Sequence, residues 1–272
     1  MDRYAVIGHP IAHSRSPAIH RQFAAQTGQR MQYEAILAPK DGFRACIAER
    51  VKEGFRGMNI TVPFKEEAFA LAQEHTPRAT LAQAANTFVV QADRSLLADN
   101  TDGAGLVRDL SSNLGVTLHA RKILILGAGG AVRGVLAPLL AHNPAHLHIA
   151  NRTLSRAEHL LSQFAHLGRL SASGYDDLVG HHFDLIINAT SAGLDGEQPA
   201  LPDGLLNPGG GCYDMFYSQT LTPFLHWAQQ QNPRWYADGL GMLVEQAAEA
   251  FYLWRGIRPD TTPLLHQRLR SP

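Results

Sequence analysis

Short apolar runs alternate with amphipathic segments over the first hundred residues. Arg3–Ile7, Gln32–Ile36 and Gly57–Ile60 read as strands, and Pro17 to about Thr27, Gly42–Glu53 and Lys65 to about Gln73 as helices. Thr87–Val90 and Ser95–Ala98 suggest two further strands joined by a turn at Ala92–Arg94. Such alternation predicts an α/β layer. Gly103–Leu114 reads as a helix leaving this region, and a second series begins at the apolar strand Arg121–Leu126. A glycine-rich turn, helix Ala131–Ala141, strand His146–Ala150 and helix Leu154–Phe164 follow. Later strands are expected at Leu170–Ala172, Asp184–Ile187 and Gly211–Tyr213, with helices at Thr222–Gln230 and Leu240–Arg255. The second series is a doubly wound pattern. The last long helix is expected to pack back on the first half. There are no repeats, low-complexity tracts or long linkers.

At 272 residues, two domains are the natural expectation. Lys plus Arg and Asp plus Glu both number 24, so the chain is neutral, which argues against a nucleic-acid or anionic-membrane partner. Cys46 and Cys212 form no C-x-x-C pair and no disulfide framework. The N-terminus lacks the pattern of a signal peptide, and no apolar run reaches the ~20 residues of a membrane span. A cytoplasmic protein is expected. The 14 histidines form no H-E-x-x-H and no zinc-spaced set, so no metal is expected. His146 and His148 share one strand face and are expected to be exposed.

Candidate chemistry begins at Gly127-Ala128-Gly129-Gly130-Ala131, where a buried strand runs into glycines and then a helix. Glycines there allow a tight turn and close approach to a pyrophosphate, and the helix N-terminus offers N–H groups to that anion. The third position of G-x-G-x-x-G is Val132, and a tight turn without ligand is the competing reading. After the next strand come Asn151-Arg152-Thr153-Leu154-Ser155-Arg156, with no carboxylate to hold a ribose 2′-hydroxyl. Guanidinium groups would pair with a 2′-phosphate, which selects NADP over NAD. Arg152 and Arg156, four residues apart, could equally mark a solvated helix face.

In the first half, Asn59-Ile60-Thr61-Val62-Pro63-Phe64-Lys65 places Asn59 and Thr61 on one strand face and Lys65 just beyond the strand end. Asn86 and Asp102 sit at element boundaries, where polar groups reach a cleft, although Asp102 before Gly103 could simply cap a helix. Gln246 falls on a helical face with Leu243, Ala247, Ala250, Phe251 and Trp254. A buried amide there needs partners, from a ligand or from ordinary core hydrogen bonds.

Ser14-Arg15-Ser16-Pro17, the Asn59–Lys65 run, Asn100-Thr101-Asp102-Gly103, Gly127–Ala131, Asn151-Arg152-Thr153 and Gly239-Leu240-Gly241-Met242-Leu243 with Gln246 occur in this order. On these six motifs the chain resembles the shikimate dehydrogenase family across nearly its full length. The resemblance implies an N-terminal α/β substrate domain, residues 1–102 completed by C-terminal helices at about 239–272. It implies a Rossmann-type doubly wound NADP-binding domain at 103–238, with the active site in the cleft between them. The implied activity is NADPH-dependent reversible reduction of 3-dehydroshikimate to shikimate, in aromatic amino acid (chorismate) biosynthesis. The implied partner is that small molecule, with the chain acting as a monomer or homodimer.

By the same resemblance Lys65 and Asp102 are the catalytic pair, and Ser14 and Ser16 the hydroxyls that bind the substrate carboxylate. Pro17 suits a first helical position, which also makes Ser16 a candidate N-cap. Asn59, Thr61, Asn86 and Gln246 resemble partners for the ring hydroxyls. Ala189, Thr190 and Met215 would line the nicotinamide region, Gly239 and Met242 approach it, and Tyr217 face the substrate or act as a packing aromatic. Gly239 could offer its backbone because no side chain intervenes. Two stretches depart from the family: Ser191-Ala192-Gly193, beside the nicotinamide, and Pro77, where some relatives carry an acidic residue. The alternatives are a quinate/shikimate dehydrogenase of the same fold, and a non-catalytic relative that binds NADP or a metabolite.

Overall fold

The computed structural model describes residues 1–190 and 200–266. The chain divides into two units, Met1–Gly105 with Leu243–Pro272, and Leu106–Met242. Each carries its own six-stranded sheet.

The first unit runs β1 (Asp2–Gly8), α1 (Ser16–Thr27), β2 (Met31–Leu37), α2 (Phe43–Lys52), β3 (Phe55–Ile60), α3 (Lys65–Leu71), β4 (Glu74–His75), α4 (Pro77–Ala82), β5 (Thr87–Val90) and β6 (Leu96–Asp99). Its sheet order is β2-β1-β3-β5-β6-β4, with β5 antiparallel to both neighbours. The reversal follows from the short β5–β6 connection, since a few residues can join only antiparallel strands. Arg94 takes a left-handed φ of 68° in that turn, and the Asp93 carboxylate accepts from the Ser95 N–H. The short β4 and α4 were not expected. The signal for α4 was present: Thr76 accepts from the Ala79 N–H, and Pro77 opens the helix.

The helix read over Gly103–Leu114 is interrupted. α5 (Asp102–Arg108) gives way to a π-helical turn, Asp109–Asn113. The buried Asp109 carboxylate accepts from Tyr213 at 2.7 Å and Asn113 at 2.9 Å, which gives the widened turn a polar anchor.

The second unit continues with β7 (Lys122–Leu126), α6 (Gly130–Leu140), β8 (His146–Ala150), α7 (Leu154–Phe164), β9 (Leu170–Ser173), β10 (Phe183–Asn188), β11 (Leu206–Asp214), α8 (Pro223–Gln230) and β12 (Trp235–Asp238). All its strands are parallel, in the order β12-β11-β10-β7-β8-β9. This is the doubly wound order, with the switch point between β7 and β10. β11 begins five residues before its apolar stretch, through Pro208 and two glycines, where its register against β10 shifts. Alternate residues of β7 and β8 feed two cores: Ile123, Ile125, Leu147 and Ile149 join α6 and α7, while Leu124, Leu126 and Ala150 join α8.

α9 (Leu240–Arg255) and α10 (Thr262–His266) complete the chain. From Leu243 onward α9 belongs to the first unit, where Val244, Ala247, Ala248 and Phe251 pack with Ile19 and Phe23 of α1. No described helix is long and apolar enough to cross a membrane.

Trp254 secures α9 to the first sheet. Its Nε1 donates to the Phe88 carbonyl at 2.9 Å, and its ring lies against Gly57 of β3. A Cβ on Gly57 would stand 2.3 Å from the indole nitrogen. Gly57→Ala is therefore expected to lower stability by about 1–3 kcal/mol through overpacking, read as a lower urea midpoint at unchanged m.

Candidate active site

Lys65 is the first residue of α3, and its Nζ donates to Asp102 Oδ2 at 2.6 Å. The two side chains are 14% and 7% exposed, so the pair is largely withdrawn from water. Asn86, just before β5, holds the other carboxylate oxygen. Its Nδ2 lies 2.9 Å from Asp102 Oδ1, 2.8 Å from Thr101 Oγ1 and 3.1 Å from Gln246 Oε1. Its Oδ1 accepts from the Thr101 N–H at 2.8 Å and the Thr87 hydroxyl at 2.9 Å. Gln246 also donates to the Leu243 carbonyl at 2.9 Å, so it has core partners of its own within α9.

Asn59 joins from β3. Its Oδ1 accepts from the Tyr33 hydroxyl at 2.7 Å, and its Nδ2 donates to the Asn86 carbonyl and to Thr87 Oγ1. β3 ends at Ile60, so the alternation linking Asn59 to Thr61 stops one residue short. The Thr61 methyl presses on Gly8, where a Cβ would lie 2.3 Å away. Ser16 is not the N-cap of α1. Arg15 occupies that position without a side-chain cap bond, and Ser16 is already helical. Ser14 makes the cap-like contact one residue earlier, its Oγ accepting from the Ser16 N–H at 3.3 Å. The Ser16 side chain is itself buried. His20, one turn along α1, stacks on Tyr33 at 4.1 Å, and burial holds its imidazole down to about 3.

Lys65, Asp102, Asn86, Gln246 and Asn59 thus share one hydrogen-bonded cluster. Tyr33, Thr87 and Thr101 complete it and were not singled out from sequence. Thr87 and Thr101 adjoin residues that were, whereas nothing in the sequence distinguishes Tyr33 from a packing aromatic.

In the second unit the glycine turn has the form a pyrophosphate requires. Gly127 takes φ 110°, where a Cβ would stand 3.2 Å from the Ala189 carbonyl oxygen. Among the described residues, none beyond its chain neighbours comes within 4 Å of a Cβ position on Gly129. Gly130 and Ala131 form the first turn of α6, which has no side-chain cap, leaving backbone N–H groups for an anion. Ala128 is half-buried against the core beside them. Val132 is fully buried, so it fills core volume where the fingerprint has glycine. Asn151 Nδ2 donates to the Thr153 carbonyl at 2.8 Å and holds the turn after β8. Arg152, Thr153 and Arg156 are exposed there, at an α7 N-terminus with no acidic residue in its first turn and no hydrogen bond from the Thr153 side chain.

At the ends of β10 and β11, Asn188 accepts from the Thr190 N–H and hydroxyl and donates to Asp214 Oδ1. Ala189 N donates to the Leu126 carbonyl, and Met215 N to the Asn188 carbonyl. Gly239 owes its identity to packing: a Cβ would stand 2.2 Å from the Met215 carbonyl oxygen. Met242 is buried in the α6 and α7 core, and Tyr217 stacks beside Phe216. Ser191, Ala192 and Gly193 lie outside the described residues.

The comparisons with known proteins agree with both halves. Residues 6–88 match the shikimate dehydrogenase substrate binding domain, 109–195 the shikimate / quinate 5-dehydrogenase model, and 239–267 the shikimate 5'-dehydrogenase C-terminal domain. A shikimate dehydrogenase (NADP(+)) of Thioalkalivibrio sulfidiphilus is 60% identical over 265 residues, 97% of each chain. The chain belongs to the shikimate dehydrogenase family. Among solved structures, shikimate 5-dehydrogenase of Thermus thermophilus in complex with NADP(H) and shikimate is 35% identical, with TM-score 0.87 over 99% of both chains. An Ael1 enzyme of Pseudomonas putida is 47% identical, with TM-score 0.90 over 100% of this chain and 99% of its own. The two-domain α/β architecture of the family, with a Rossmann-like second domain, is the one described above.

The histidine pair on β8 corrects an expectation. His148 is only 6% exposed. Its ring nitrogens lie 2.6 Å from Ser171 Oγ and 2.8 Å from Ser173 Oγ, hydroxyls supplied by the neighbouring β9. Among the described residues no group of three or more His, Cys, Asp or Glu is arranged to hold a metal ion. Burial holds the His148 imidazole down to about 4, against 6.5 normally. Between these values the unfolded chain binds a proton that the folded chain refuses, so stability falls as pH drops from 6.5 towards 4. Urea unfolding at pH 7 and pH 5 is expected to show this loss in the native chain, smaller by about 2 kcal/mol in His148→Gln. Equal pH dependence in the two would remove His148 from the acid response.

Proposed function

We propose that the chain carries out the NADPH-dependent, reversible reduction of 3-dehydroshikimate to shikimate, with Lys65 and Asp102 as the catalytic pair. Family membership supports the reaction. The observation that carries the assignment of residues is the Lys65–Asp102 contact at 2.6 Å inside a buried polar cluster.

When bound, NADPH supplies a hydride to the ketone carbon. Negative charge then develops on the ketone oxygen, and a proton must reach it. The Lys65 ammonium can stabilise that charge and donate the proton, and it carries three hydrogens, of which Asp102 occupies one. Asp102 orients the ammonium through Oδ2, while Asn86 holds Oδ1, so the carboxylate is fixed at both ends. A lysine held this way needs no reorganisation when the charge appears.

Ser14 and Ser16, at the start of the 12-residue α1, suit the substrate carboxylate, which the helix N-terminus also attracts. Asn59, Thr61, Asn86 and Gln246 serve the ring hydroxyls with both donors and acceptors. Asn86 has three acceptors in reach of two hydrogens, so one can turn to a substrate hydroxyl. Tyr217 faces the substrate. Gly127, Ala128, Gly129, Gly130 and Ala131 hold the pyrophosphate, and Asn151, Arg152, Thr153 and Arg156 the 2′-phosphate. Ala189, Thr190, Met215, Gly239 and Met242 bound the nicotinamide.

Lys65→Ala is expected to lower kcat by about 100-fold or more while KM for shikimate changes little. A wild-type kcat would exclude Lys65 from the chemistry. Replacing both Arg152 and Arg156 with Ala is expected to raise KM for NADPH by about 10- to 100-fold and leave NADH almost unaffected. An unchanged NADPH/NADH ratio of kcat/KM would show that neither arginine touches the 2′-phosphate.

A further inference from the structure

Thr87 is fully buried and joins two residues of the cluster that do not touch the catalytic pair in the same way. It faces Asn59 across the β3–β5 ladder and Asp99 across the β5–β6 ladder. Its hydroxyl lies 3.0 Å from Asn59 Nδ2 and 2.9 Å from Asn86 Oδ1. We propose that Thr87 is a positioning residue for the Lys65–Asp102 pair, acting through the side-chain amide of Asn86. The inference rests on Lys65 and Asp102 being the catalytic pair.

Backbone groups determine the direction of every hydrogen bond in this chain of contacts. The Asn86 carbonyl can only accept, so Asn59 must present Nδ2 to it and Oδ1 to Tyr33. The Thr101 N–H can only donate, so Asn86 must present Oδ1 to it and Nδ2 to Asp102. The Thr87 hydroxyl stands between an amide donor and an amide oxygen. It accepts from Asn59 and gives its one hydrogen to Asn86. The resulting order is Tyr33 O–H to Asn59, Asn59 N–H to Thr87, Thr87 O–H to Asn86, and Asn86 N–H to Asp102, whose second oxygen receives Lys65. Members of such a chain polarise one another and are worth more together than in isolation.

Valine has nearly the shape of threonine but neither donor nor acceptor. In Thr87→Val an Asn59 hydrogen loses its acceptor, and Asn86 Oδ1 keeps donors only from Thr101. The second valine methyl takes the place of the hydroxyl at this fully buried position. Asn86 Oδ1 is then held from the Thr101 side only, while Nδ2 keeps Asp102 and Gln246, so the amide is less firmly oriented and its grip on Asp102 Oδ1 loosens. Tyr33 stands at the far end of the chain, where removing its hydroxyl disturbs Asn59 and leaves the Asn86–Asp102 contact intact.

The test uses the full chain, with shikimate and NADP+ followed at the nicotinamide absorbance band, and thermal melts to establish folding. Thr87→Val is expected to lower kcat by about tenfold with KM for NADP+ unchanged, and Thr87→Ser to restore kcat to within about twofold of the native chain. Tyr33→Phe is expected to raise KM for shikimate and spare kcat. If Thr87→Val does not fold, Thr87→Cys replaces it: similar in size, with a weak donor, it is expected to give a reduced kcat that Thr87→Ser does not share. A folded Thr87→Val or Thr87→Cys with native kcat overturns the inference, as does a Tyr33→Phe loss of kcat equal to that of Thr87→Val. Lys65→Ala measured in parallel separates the two levels. If it abolishes turnover while Thr87→Val does not, only the positioning role fails; if it turns over normally, the catalytic reading beneath it fails.

Discussion

The Asn86 side-chain amide has one orientation that its surroundings permit, and the polar interior of the first unit is arranged around it. A buried amide left with unmet hydrogens or lone pairs costs about 1–3 kcal/mol per group. Asn86 avoids this by drawing on its neighbour Thr87 and on two segments distant in sequence, Thr101 and Asp102 at the turn after β6 and Gln246 on α9. α9 is therefore part of the same electrostatic unit as Lys65. Its apolar face packs on α1, but its rotation about its own axis is set where the Gln246 oxygen meets the Asn86 amide.

The second unit has a comparable anchor at its strand ends. Asp214 is fully buried at the end of β11, and burial pushes its carboxyl up to about 6. Its oxygens accept from Asn188 and the Phe216 N–H on one side and Thr222 on the other. These bonds tie together the ends of β10 and β11 and the start of α8. A folded-state carboxyl raised above its unfolded value makes ionisation costly, so this anchor opposes stability as pH rises from about 4 to about 6. His148 acts in the opposite sense over an overlapping range. Two buried groups of opposite type, on β11 and β8 of the parallel sheet, thus offset one another in acid.

The fold was legible wherever apolar period and length agreed. β8, α7 and α9 have the bounds their patterns predict: α7 buries one face, and β8 and α9 are buried on nearly all sides. β12 and the start of β11 were not legible, since Trp235–Asp238 mixes exposed and half-buried positions and Pro208–Gly210 resembles a loop. His148 was misjudged because strand period assigns a face and not its cover; Ser171 and Ser173 shield it from the adjoining strand. In the polar cluster, residues at element ends could be singled out by position, as with Lys65, Asn86 and Asp102. Tyr33 lies inside β2 and Thr87 opens β5, and in a strand a hydroxyl is indistinguishable from ordinary composition until its neighbours are known. Gly239 was expected for backbone access to a ligand, whereas a contact with the Met215 backbone already excludes every larger residue.

The same distinction between holding a place and adding stability applies to the ion pairs on α9. Asp99, immediately before the Asn100–Asp102 turn, is 1% exposed. Burial works against its charge, but Arg78 and Thr76 outweigh it and keep the carboxyl below its usual range. Arg78 also reaches Glu249 at 2.9 Å, and Arg258 joins Glu249 to the buried Glu245. Desolvation consumes much of what such pairs gain, so an apolar replacement of equal volume could stabilise the unit as well. An apolar contact tolerates a helix sliding or turning by a few degrees, whereas a bidentate guanidinium does not. Glu245 and Glu249 flank Gln246 on α9, and Asp99 precedes Asp102 by three residues. The network therefore holds the helix bearing Gln246 against the turn bearing Asp102, the geometry on which the Asn86 amide depends.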